Sequence, residues 1–169
     1  MITILLALWA ASPPGTPALT AQTPDTALTR ELGNPLRVFR DSLFAVQGAG
    51  VEFRRDLAAA SPDLVIARAR RVQESCARAI AALRDAQHAI ATTTLPARTR
   101  PPVADLQRLL PQLQADLARC QREFAPGAWY ARVDSLRAWG PSRLSQLDVS
   151  VRRGVDATDR LRAALGYKS

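Results

Sequence analysis

The chain predicts an all-α fold, an antiparallel four-helix bundle, on three observations. Apolar residues recur in alternating steps of four and three, the spacing of a helix buried along one stripe. No segment alternates with the period of two that a half-buried strand requires. The only two cysteines, Cys76 and Cys120, fall where two neighbouring helices would face each other.

The N-terminus comes first in chain order. Ile2 to Ala11 is an apolar run, too short for the ~20 residues that span a bilayer. Ser12-Pro13-Pro14-Gly15 and a small-residue stretch ending at Ala21 follow it. Residues 1–21 therefore read as a secretory signal, although no Lys or Arg precedes the apolar run. Removing it leaves roughly 150 residues, an ordinary single-domain length. Residues 22–33 are expected to be a short helix or disordered, and 34–169 one helical domain.

Asn34-Pro35 supplies a cap and a first-turn proline, so the first long helix is expected to open there. Its seam is Leu36, Phe39, Leu43, Val46, Gly50, Phe53 and Leu57. Phe44 and Val51 stand one position off that stripe. Ser61-Pro62-Asp63 repeats the cap-and-proline signal and opens the second helix, with the seam Val65, Ala69, Val72, Cys76, Ala79, Leu83, Ala86 and Ile90. A Pro-rich break, Thr94 to Pro102, leads into a third helix starting near Pro102, with Leu106, Leu110, Leu113, Leu117, Cys120 and Phe124 on its seam. Pro111 inside it is expected to bend the helix without ending it. Pro126-Gly127 closes that helix. In the last segment Gly140-Pro141 is expected to break or kink the chain, because one helix from 128 to 165 would run about 57 Å against about 35 Å for the third.

An antiparallel hairpin places residues equidistant from its turn at equal height. The midpoint of Cys76 and Cys120 is residue 98, the centre of the Pro-rich break. Facing seam positions approach to about 3.4–5.4 Å, overlapping the span of a disulfide. A cross-link enclosing this loop stabilises by about 4 kcal/mol in chain-entropy terms. It also requires an oxidising compartment, which agrees with the leader, so the protein is expected to be periplasmic or secreted. No transmembrane segment is expected.

The net charge of +8 invites an anionic partner. The charge is spread along the chain, however, and much of it is laced at helical spacing, as in Arg70/Glu74/Arg78 and Asp148/Arg152. Solvated helix faces are the expectation, and nucleic acid is not an expected partner. His88 is the only histidine and Met1 the only methionine, so a haem bundle has no second ligand. No glutamate stands in the Glu-x-x-His arrangement of a carboxylate-bridged metal bundle. Neither cofactor, metal site nor catalytic residue is expected.

The expected function is non-enzymatic: contact with a protein or envelope component, a second copy of the chain included. Phe44, Val51, Trp139, Arg98 and Arg100 are the candidate contact residues. A small-molecule carrier or sensor ranks second, with Gly50, Phe53, Ala79, Phe124 and Trp129 as candidate pocket residues. An arginine-mediated binder of anionic polymer ranks third.

Overall fold

The computed structural model describes residues 26–58, 61–125 and 133–167. They form four α-helices: α1 (Thr26–Asp56), α2 (Pro62–Thr92), α3 (Arg100–Glu123) and α4 (Val133–Leu165). A 3-10 turn, Ala97–Thr99, joins α2 to α3, and no described residue lies in a strand. The helices pack in a ring, α1 on α2, α2 on α3, α3 on α4 and α4 on α1, with little contact across the α2–α4 diagonal. Arg40 pairs with Asp159 and Arg54 with Asp148, so α4 descends as α1 ascends. The signal reading of residues 1–21 lies outside the described residues.

The seams face inward as expected. Phe39, Leu43, Phe53, Leu83, Leu106, Leu113, Leu117 and Phe124 are all among the fully buried side chains. Cys76 and Cys120 form a disulfide between α2 and α3, with Cα atoms 6.3 Å apart. That is wider than two directly facing positions would give, and inside the range a disulfide spans. Ser61 caps α2 as its spacing predicts: its hydroxyl accepts from the Leu64 amide at 3.4 Å, and Pro62 occupies the first turn.

Two boundaries differ from expectation. α1 opens at Thr26, with Pro35 inside it; Asn34 is no cap, and its side-chain oxygen accepts from Arg37 at 2.9 Å. An interior proline costs a helix about 3 kcal/mol. Leu32, one turn earlier, is fully buried and Leu28 packs on the same core. Full burial of Leu32 returns about 1.5–3 kcal/mol, and the partly buried Leu28 adds to it, so the extended helix is favoured. The far end of α4 supports the same extension. Gly166 takes a left-handed φ of 94° and the Tyr167 amide donates back to the Arg162 carbonyl at 3.0 Å. This turn lays Tyr167 against Gly33, where a side chain on residue 33 would collide with the Tyr167 hydroxyl.

Of the break or kink expected at Gly140-Pro141, the break is absent: α4 runs through as one helix of 33 residues. Its length matches α1 and α2, which have 31 residues each, and not the shorter α3. Leu136 and Leu144, on either side of the proline, are both buried in the one core, which holds the helix together across it. α3 likewise continues through Pro111, with Leu110 and Leu113 buried on either side.

Some charges pair at helical spacing, as Arg37 does with Asp41 and Arg137 with Asp134, while others pair between helices. Asp148 binds Arg54 of α1, and Glu123 lies 3.7 Å from Arg143 of α4. Asp116 accepts from Ser150 of α4 at 2.6 Å as well as from Gln112 on its own helix. Between α1 and α2, Arg68 reaches both Glu52 and Asp56 at 2.7 Å, and Arg71 reaches Glu52 at 2.8 Å.

Candidate functional site

The inward seam of α1 leaves an opposite face that carries two of the exposed large apolar side chains among the described residues; Leu64 on α2 and Val149 on α4 are exposed elsewhere. Phe44 is 42% exposed and Val51 is 57% exposed, and Val38 on the same helix is 42% exposed. The sequence places Phe44 and Val51 one heptad apart, so the helix brings them to one side. Gly48 lies between them, exposed, and a Cβ built on it meets nothing within 4 Å. A glycine inside a helix costs about 1 kcal/mol relative to alanine, and no packing within this chain requires it here.

Phe44 also forms one wall of a groove of about 320 Å³ between α1 and α4, lined by Gln47, Arg152, Val155 and Asp156. Arg40 lies over the Phe44 ring, 4.8 Å from its centroid, while its Nε donates to Asp159 at 2.6 Å. The ring is thereby held against the helix by a cation that is itself anchored. At the other end of the face, Arg55 and Arg68 both donate to Asp56 and hold its carboxyl below the usual range, with Arg55 the larger influence.

The other expected contact residues do not join this face. Trp139 is half-buried and packs edge-on against Phe124, ring centroids 5.3 Å apart. Arg98 donates from Nε to the Ala164 carbonyl at 2.9 Å, serving the C-terminal end of α4, where a cation is favourable. Arg100 is exposed at the start of α3, at that same end of the bundle.

The expected pocket residues sit in packed surroundings. Phe53 meets Phe124 edge-on at 5.5 Å, and its ring fills the space beside Gly140, where a Cβ would come within 2.9 Å of it. Ala79 is fully buried, and a Cβ on Gly50 would lie 3.6 Å from Leu144, an ordinary contact. Beside Phe124 the cleft between α3 and α4 has about 20 Å³, room for a water molecule. Trp129 lies outside the described residues. A further groove, of about 540 Å³, is open and runs between Glu31 and Pro35 of α1 and Asp85, His88 and Thr92 of α2. His88 is exposed there, and among the described residues no cluster of His, Cys, Asp and Glu could hold a metal ion.

Phe44 and Val51 share their face with Asp41, Gly48 and Arg55, which their residue types alone do not single out. The signal was present. Asp41, Phe44, Gly48, Val51 and Arg55 repeat the three-four alternation of the buried seam on the opposite side of the helix. No family model matches the chain, and neither the curated proteins nor the solved structures include a match to it.

Proposed function

We propose that this is a non-enzymatic, exported bundle protein that acts by contact with a protein or a cell-envelope component, through the outward face of α1. The observation that carries the proposal is the exposure of Phe44 and Val51 on one side of a helix, flanking a glycine that no neighbour needs. Apolar side chains grouped on an otherwise charged surface mark places where another molecule binds. Export is supported by the Cys76–Cys120 cross-link, which persists in oxidising compartments, and no described helix is long and apolar enough to cross a membrane.

The carrier reading draws no support from its expected pocket, where Phe53, Phe124 and Trp139 close on one another. The polymer-binding reading is weakened because Arg40, Arg54, Arg68 and Arg71 are each committed to a carboxylate on another helix.

The test is recovery of bound partners from the envelope of the native cell, comparing the unaltered chain with Phe44→Arg and Val51→Glu. Loss of a partner by both variants, with helicity unchanged, is the expected result. Retention of every partner overturns the proposal. Export is checked on the same material by mass: a chain beginning at Gln22 and two hydrogens lighter than its reduced form is expected.

A further inference from the structure

Taking that contact reading as its basis, we propose that the partner at this face is a second copy of the chain, its α1 antiparallel to the first, with the twofold axis at Gly48. The heptad spacing of Asp41, Phe44, Gly48, Val51 and Arg55 keeps all five on one side over about 21 Å of helix. Charge complementarity selects the orientation. A parallel pair would set Asp41 against Asp41 and Arg55 against Arg55. An antiparallel pair about Gly48 sets Asp41 of each copy level with Arg55 of the other, giving two equivalent ion pairs.

The same axis settles the register. Moving it half a heptad toward the N-terminus sets Asp41 opposite Gly48, and moving it the other way sets Arg55 opposite Gly48; each loses both ion pairs. With the axis at Gly48, the missing side chain lies where the two backbones approach most closely. Phe44 then falls within one residue of Val51 of the other copy. A self-complementary patch of this kind is what a closed twofold dimer requires.

Both charged residues are accessible. Asp41 is 52% exposed and held at 3.4 Å by Arg37, an exposed pair that exchanges partners at little cost. Arg55 is 66% exposed and keeps its two hydrogen bonds to Asp56, so it meets Asp41 of the second copy through its remaining N–H groups.

The experiment is sedimentation velocity on the oxidised protein purified from the cell envelope, over a concentration series. A monomer–dimer equilibrium is expected. D41R and R55E should each weaken it about tenfold or more, and the double variant D41R/R55E should restore it to within about threefold. Gly48→Cys should cross-link into a covalent dimer under mild oxidation, and Glu74→Cys, exposed on α2, should not. A dimer indifferent to D41R, or one that the double exchange does not rescue, overturns the register. A protein monomeric throughout overturns self-association. If Phe44→Arg still loses an envelope partner in that case, the contact proposal stands with a different occupant; if it loses none, both fall.

Discussion

Alanine substituted at three glycines should give effects of different sign, decided by what surrounds each position. Gly48, Gly50 and Gly154 all lie inside helices, so each replacement gains about 1 kcal/mol of helix propensity. At Gly48 nothing lies within 4 Å of the new methyl, and the full gain should appear. At Gly50 the nearest atom, on Leu144, is at 3.6 Å, so most of the gain should remain. At Gly154 the methyl would come within 2.8 Å of Leu113 and 3.2 Å of Leu43, on α3 and α1. Both leucines are buried, so neither can swing away into solvent. Overpacking of this kind costs about 1–3 kcal/mol. Measured on the monomer, below the concentration at which the proposed dimer forms, G48A should therefore stabilise the chain by about 1 kcal/mol, while G154A should be neutral to about 2 kcal/mol destabilising. The assay is urea unfolding followed by far-ultraviolet circular dichroism without reductant. A companion thermal series should move Tm by about 2–4 °C per kcal/mol. If G154A stabilises as much as G48A does, α4 does not cross the bundle at Gly154, and the packing described is wrong.

Three further outcomes are expected. Replacing both Cys76 and Cys120 by alanine should lower stability by about 4 kcal/mol, with helix content at low denaturant retained; a change below about 1 kcal/mol would show the cross-link to be incidental. Leu32→Ala should cost about 2–5 kcal/mol in the same unfolding assay, whereas a frayed segment before Asn34 would make it nearly silent. For Asp56, whose folded value is held below the unfolded one, the unfolded chain takes up the proton first. That contribution is complete above about pH 4 and is lost as pH falls through the lowered value. D56N should therefore unfold with a shallower acid dependence than the unaltered protein, and identical acid profiles would refute the assignment.

Periodicity and chain reversal were enough to read the bundle from the residues. A helix repeats its faces every three or four positions whatever it packs against, so the seams from Leu36 to Leu57 and from Val65 to Ile90 declare their buried sides locally. A hairpin places Cys76 and Cys120 at one height by geometry alone, so the cross-link was legible too. Phe44 and Val51 were legible for the same reason, since they stand off the seam. What the residues could not settle was every contest between a local penalty and a distant neighbour. Pro35 and Pro141 read as boundaries by their own chemistry, yet Leu32, Leu136 and Leu144 find enough burial to carry α1 and α4 through them. Asp148 had a candidate partner, Arg152, on its own helix, and the fold gave it Arg54 from another. Gly48 and Gly154 are the same residue in the same kind of helix. Only the packing of α1, α3 and α4 separates them, because a steric contact depends on an approach between segments far apart in the chain, and no local pattern encodes that distance.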